Sequence, residues 1–209
     1  MLIQTFVLND LSTNTYVVGE PEGEVMIIDP SAEAMEEVID YVHGQHLTVK
    51  YIVNTHAHFD HVIGNESLRR HFGAPLFIHE KDLEILLQLP VTTRRIFGRS
   101  VDSNPPEYFL HDNDILQVGN YRFRVLETPG HSPGGICLYE EKEGVLFTGD
   151  TLFAGTIGRT DLQGGNASQL FQSLKDKLWS LPDEVVIYPG HEEDSTIGDE
   201  RMHNPFFYF

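Results

Sequence analysis

The chain has 209 residues, and 14 basic side chains against 32 acidic ones leave a net charge of −18. That charge opposes nucleic acid, which needs clustered Lys and Arg, and anionic membrane surfaces. A single cysteine, Cys137, excludes an intrachain disulfide framework and suits a reducing compartment.

No apolar run approaches the ~18 residues of a membrane span, and residues 1–8 lack the pattern of an export signal. The expectation is one cytoplasmic domain over residues 1–209 that acts on a small molecule. Apolar and β-branched runs predict strands at 2–8, 15–18 and 24–28, separated by turn residues such as Asn9, Asp10 and Gly23. Ser31 reads as a helix N-cap, followed at helical spacing by Ala34, Met35, Val38, Ile39 and Val42, with Gly44 as the stop. A short buried strand at 49–53 runs into Thr55 and His56. Helices are expected at 62–72 and 81–89, around a strand at 75–78. Residues 90–106 have no clear period and read as a long loop carrying Arg94, Arg95 and Arg99. Strands follow at 115–118, 121–127, 136–139 and 145–147, then an amphipathic helix at 169–179, a strand at 185–188 and an aromatic tail at 204–209. Strands with interspersed helices in both halves predict two sheets packed face to face with helices outside.

Chemistry concentrates in Thr55-His56-Ala57-His58-Phe59-Asp60-His61, where four potential metal ligands fall within six positions after a buried strand. Residues two apart do not share a helix face, so His56 and His58 require a strand-end loop to converge on one ion. Asp60 and His61, further along the turn, can reach a neighbouring ion. Imidazole and carboxylate suit zinc, iron or manganese. Three further segments place a ligand-type residue beside a glycine at a strand end: Pro129-Gly130-His131, Thr148-Gly149-Asp150 and Pro189-Gly190-His191. Singly each reads as an ordinary solvated turn. Beside the clustered motif they complete a set of seven for two ions. His43, His46, His71, His79, His111 and His203 fit no motif and are expected at the surface or in satisfied structural roles.

These motifs, in this order and over nearly the whole chain, resemble the metallo-β-lactamase superfamily. The stretches GDTLFAGTIGRTD (149–161) and STIGDERMHNPF (195–206) resemble its short glyoxalase II-like hydrolases. The resemblance implies an α+β fold, an αββα sandwich of two mixed β-sheets with helices on the outer faces and metals at one edge. It implies one divalent ion, zinc foremost, on His56, His58 and His131, a second on Asp60, His61 and His191, and Asp150 bridging both. Asp60 and Asp150 are then the carboxylates of the catalytic centre. The implied reaction is hydrolysis of a glutathione thioester such as S-D-lactoylglutathione by metal-activated water, whose pKa falls to roughly 7. A thiolate leaves without protonation, since its conjugate acid has a pKa of about 8.5, and no dedicated general acid is evident.

The chain lacks the C-terminal helical extension through which longer glyoxalase II enzymes contact glutathione. Arg159 falls where those enzymes carry a glutathione-binding lysine; a structural pair with Asp161 is its equal competitor. Arg94 and Arg95 are further candidates for a substrate carboxylate. Asp29, before Pro30, is a candidate to orient a ligand histidine or simply to form the turn. The nearest rival is a persulfide dioxygenase of the same superfamily with a single iron, which shares the ligand types; the STIGDERMHNPF and TLFAG runs favour the hydrolase. A nuclease conflicts with the charge, a lactonase or β-lactamase fits the same metals, and a non-catalytic metal-binding module would close its coordination with four ligands per ion. Oligomeric state is left open.

Overall fold

The computed structural model describes residues 1–208; Phe209, the last residue of the aromatic tail, lies outside them. The first sheet runs β1 (Leu2–Val7), β2 (Asn14–Gly19), β3 (Glu24–Ile28), β4 (Thr48–Val53), β5 (Leu76–His79) and β6 (Tyr108–Leu110), in that spatial order. Its β1–β2 and β2–β3 pairs are antiparallel, and the rest are parallel. The second half supplies β7 (Ile115–Val118), β8 (Tyr121–Glu127), β9 (Ile136–Glu140), β10 (Val145–Gly149), a small ribbon of β11 (Leu152–Phe153) and β12 (Thr156–Ile157), then β13 (Val186–Pro189) and β14 (Ser195–Thr196). Its six-stranded sheet has the order β14-β13-β10-β9-β8-β7, antiparallel except for the β10–β13 pair.

Period-2 alternation builds the layers. Tyr16, Val18, Met26, Ile28 and Val53 of the first sheet face Phe123, Val125, Leu138, Val145 and Phe147 of the second, forming the core between the sheets. The intervening Val17, Val25, Ile27 and Ile52 point outward onto Met35, Val38, Val42 and Leu68. On the far side Leu126, Cys137, Tyr139, Leu146 and Ile187 pack against Leu170, Leu174 and Leu178. Each sheet is therefore buried on both faces, which makes the αββα sandwich of the metallo-β-lactamase fold. No helix among the described residues is long and apolar enough to cross a membrane.

Several local expectations are corrected. The first helix, α1 (Glu36–Gly44), starts five residues after Ser31 and without a side-chain cap, because Ser31 is tied into the first sheet: its N–H donates to Thr15 Oγ1 at 3.0 Å and its hydroxyl lies 2.7 Å from the same atom. The 62–72 helix is two, α2 (Phe59–Val62) and α3 (Asn65–Phe72), so Asp60 and His61 sit on a short helix rather than in open loop. A 3₁₀ turn (Glu80–Asp82) precedes α4 (Leu83–Leu87). The expected loop at 90–106 begins as a helix, α5 (Leu89–Phe97). Pro90 occupies its first turn, where no amide hydrogen is needed, and Gly98 ends it in the left-handed region. The 169–179 helix is α6 (Ala167–Ser173) followed by a π turn (Leu174–Leu178). A last helix, α7 (Ile197–His203), capped by Thr196 on the Asp199 N–H, had no counterpart in the sequence reading.

Candidate metal centre

The ligand-type residues follow the C-terminal ends of four strands at one edge of the sandwich: His56, His58, Asp60 and His61 after β4, His131 after β8, Asp150 after β10 and His191 after β13. The two sheets therefore each contribute part of one cluster. His191 is pinned at this edge by an isolated bridge to Thr13, and the Asn14 N–H donates to the Gly190 carbonyl at 2.7 Å. A side chain at Gly190 would place its Cβ 2.2 Å from Asp150 Oδ1, so the turn approaches the centre only as glycine.

Two groups form within the cluster, each with donor atoms inside 4.8 Å of one another: His56, His58 and His131, and Asp60, His61 and His191. His58 Nδ1 lies 2.7 Å from His131 Nε2. Asp60 Oδ2 is 3.5 Å from His61 Nε2 and 3.4 Å from His191 Nε2. Asp150 sits between the groups. Its Oδ2 is 3.3 Å from His131 Nε2 and 3.6 Å from His191 Nε2, and its Oδ1 is 3.4 Å from His61 Nε2.

Outer contacts aim the rings. His131 Nδ1 donates to the Arg159 carbonyl at 2.7 Å, His191 Nδ1 to the Leu11 carbonyl at 3.0 Å, and His61 Nδ1 to Asp29 Oδ2 at 3.0 Å. Each leaves Nε2 facing the centre. A further grouping of Asp29 with His56 and His61 is geometrically close, but Asp29 is committed elsewhere: Oδ1 accepts the Thr55 N–H at 2.7 Å and Oδ2 the Thr55 hydroxyl at 2.6 Å.

Electrostatics separates the two groups. Burial pushes His56 well below the usual imidazole range, and His61, His58 and His131 add to it. Burial, with repulsion from neighbouring imidazoles, lowers His58 to about 4; burial outweighs the Arg159 carbonyl to bring His131 to about 4 as well. These three are neutral lone-pair donors at pH 7. Burial would also lower His61, but Asp150, Asp60 and Asp29 outweigh it and raise the ring to about 10. Burial would raise Asp60; His61, His191 and Thr13 prevail and hold it well below the usual carboxylate range. Asp150 is raised, chiefly by burial.

The donor set fits divalent metal ions. His56 Nε2 and Asp150 Oδ1 are buried without a hydrogen-bond partner, and a buried polar atom left unpaired costs about 1–3 kcal/mol. Both stand in the same cluster of imidazole and carboxylate, the ligand chemistry of zinc, iron and manganese.

A cavity of about 570 Å³ opens over the cluster, walled by Phe59, Ile85, Leu89 and Leu162 and edged by Arg95 and Arg159. The Arg159 guanidinium is bound to both Asp161 oxygens at 2.7 Å. Arg94 donates to Ser100 Oγ at 3.0 Å and does not line the cavity. Among the described residues Arg95 has no hydrogen-bond or ion-pair partner. Cys137 lies inside β9, fully buried, and burial pushes its thiol up to about 11. Sequence reasoning missed Thr13, whose hydroxyl donates to Asp60 Oδ2 at 2.9 Å, and Asp82, which touches both histidine loops. Neither sits in a motif, so no local signal marks them.

Residues 8–191 match the model of the metallo-β-lactamase superfamily. Over 208 residues the chain is 36% identical to hydroxyacylglutathione hydrolase GloC of Haemophilus influenzae, covering 99% of this chain and 98% of that one. It is 36% identical to the crystal structure of BLEG-1, a B3 metallo-β-lactamase, with a TM-score of 0.92 and 100% of both chains covered. It is 35% identical to TTHA1623 in a di-iron-bound form, with a TM-score of 0.87 over 97% of this chain and 99% of that one. With the sandwich, the strand-end histidines and near-complete coverage in agreement, this chain belongs to the metallo-β-lactamase superfamily.

Proposed function

We propose that the chain is a metal-dependent hydrolase of acyl thioesters, with a glutathione thioester such as S-D-lactoylglutathione as substrate. The observation that carries this reading is the pair of unpartnered buried atoms, His56 Nε2 and Asp150 Oδ1, in one cluster of imidazole and carboxylate. His56, His58 and His131 would hold one divalent ion, Asp60, His61 and His191 the second, and Asp150 would touch both; zinc suits these donors, and the di-iron form of TTHA1623 makes iron its main competitor. When bound, such ions polarise a carbonyl and lower the pKa of a coordinated water to roughly 7. The likeness to GloC supports the glutathione thioester.

The remaining tasks fall to the chain's own residues. Asp29, Thr13 and the carbonyls of Arg159 and Leu11 hold the ligands in orientation. Arg95, unpaired at the cavity edge, would bind a carboxylate of the thiol carrier, while Arg159 is already engaged by Asp161. The wall of Phe59, Ile85, Leu89 and Leu162 would pack the apolar part of the substrate and exclude water from it. Two divalent ions against Asp60 and Asp150 leave the pocket locally cationic, so an acidic protein still admits an anionic substrate. A thiolate leaving group departs unprotonated and so asks for no general acid; among the described residues the carboxyl and imidazole groups that line the cavity are those of the proposed metal ligands.

The test is metal analysis of the purified protein with an S-D-lactoylglutathione assay. Two ions per chain, with turnover abolished by a chelator and restored by added metal, is the expected result. A single iron with oxygen consumption on glutathione persulfide, or turnover confined to a β-lactam, would overturn the thioesterase reading.

A further inference from the structure

We infer that Asp82 is a positioning residue that sets the spacing of the His56, His58 and His131 group by clamping the loop of one sheet to the loop of the other. The inference rests on the reading that these three histidines take a metal.

Asp82 closes the 3₁₀ turn after β5, and its side chain is fully buried. Oδ2 accepts the Ala57 N–H at 2.9 Å and the Ser132 hydroxyl at 2.8 Å, and Oδ1 accepts the Gly134 N–H at 2.6 Å. Ala57 lies between His56 and His58, and Ser132 follows His131. One carboxylate thus grips the first-sheet loop at one point and the second-sheet loop at two. Residue 134 must lack a side chain for this, since a Cβ there would stand 2.8 Å from Asp82 Oδ1 and from the Asp82 backbone nitrogen.

A second contact from the same corner reinforces the clamp. His79, the last residue of β5, lies 3.0 Å by Nε2 from Glu127 Oε1, at the end of the strand that leads to His131. Its Nδ1 accepts the Lys81 N–H at 3.1 Å, which fixes the turn that carries Asp82.

The spacing matters because imidazole–zinc bonds are about 2.0–2.1 Å and tolerate about ±0.2 Å. His56 and His58 come from one sheet and His131 from the other, so any slip between the sheets is delivered directly to this group. A buried carboxylate is costly, and an apolar side chain could fill the same volume; three converging donors from the two loops are what a carboxylate adds. The other group has separate braces in Asp29, Thr13 and the Leu11 carbonyl, none of which touches Asp82.

The test is Zn²⁺ titration of metal-free full-length protein against a competing chelator. A His191→Ala background isolates the first group, and a His58→Ala background isolates the second. Asp82→Asn keeps the shape but leaves only one acceptor atom. It should weaken zinc about 10–100-fold in the first background and by less than about threefold in the second. Ser132→Ala, which removes one of the three bonds, should weaken the first group in the same direction by a few-fold, and it carries the test if Asp82→Asn does not fold. Equal weakening in both backgrounds, or none in the first, overturns the clamp. A protein without either substitution that takes up no zinc in either group overturns the metal reading, and the inference with it.

Discussion

Asp29→Asn isolates the orientation of His61. The native carboxylate is buried and accepts three donors: the Thr55 N–H, the Thr55 hydroxyl and His61 Nδ1–H. Its backbone is in the left-handed region (φ +51°), which asparagine tolerates nearly as well as aspartate. The substitution keeps shape and backbone and changes one terminal oxygen into an NH₂. With Oδ1 retained on the Thr55 amide, that NH₂ faces the Thr55 hydroxyl and the imidazole. A hydroxyl rotates and becomes the acceptor. In the singly protonated form that a metal requires, the imidazole becomes an acceptor only with its proton on Nε2, the atom that faces Asp60 at 3.5 Å and Asp150 at 3.4 Å. A protonated Nε2 has no lone pair for a metal. Replacing charge-assisted bonds by weaker ones should cost about 2 kcal/mol, which for a chain of this size lowers Tm by about 4–8 °C. Zinc affinity of the Asp60, His61 and His191 group should fall about 10–100-fold, with the His56, His58 and His131 group unaffected. Thermal unfolding of metal-free protein and zinc competition read the two effects separately. A lowered Tm with unchanged zinc affinity would refute the orienting role and leave Asp29 as a turn residue of the fold.

Asp150→Ala should lose at least one ion per chain by metal analysis, together with most turnover; unchanged stoichiometry would contradict a carboxylate shared by both groups. Arg95→Ala should raise KM for a glutathione thioester about tenfold with little change in kcat, the signature of uniform binding, whereas Arg159→Ala should have the smaller effect because Asp161 already engages that guanidinium. An effect confined to kcat would place Arg95 elsewhere in the cycle. Glu107 gives a pH prediction away from the candidate metal centre. Burial would raise its carboxyl, but the Leu76 N–H at 2.7 Å and the Arg69 guanidinium hold it below the ordinary range. A carboxyl depressed in the folded state stabilises at pH above its unfolded value of about 4.5 and loses that contribution as pH falls through the folded value. The Tm difference between wild type and Glu107→Gln, measured on metal-free protein, should therefore be full near pH 7 and shrink below about pH 4.5; a constant difference would remove the charge from the explanation.

Much of the molecule is local information, and local information is what a sequence displays. The apolar and β-branched runs around Tyr16, Val17 and Val18, or from Phe123 to Leu126, mark strands before any partner is known, although with both faces of each sheet buried they do not say which residue meets which layer. His56 and His58 lie two apart after a buried strand, a spacing that suits a turn and not a helix, so the cluster of donors is visible in one dimension. The long-range choices are not visible there. Pro90 reads as a breaker until the chain shows that it occupies the first turn of α5. The sequence offers Arg159 either a substrate or Asp161 and does not separate Arg94 from Arg95; only the fold settles Arg159 on Asp161, gives Ser100 to Arg94 and leaves Arg95 at the open cavity edge. Asp82 stands in a run, Glu80-Lys81-Asp82-Leu83-Glu84, that reads as the solvated face of a helix; its partners are 25, 50 and 52 residues away along the chain. Hydrogen bonds across such separations depend on how two sheets dock. That docking is set by the summed packing of both apolar faces, a quantity that no short stretch of the chain contains.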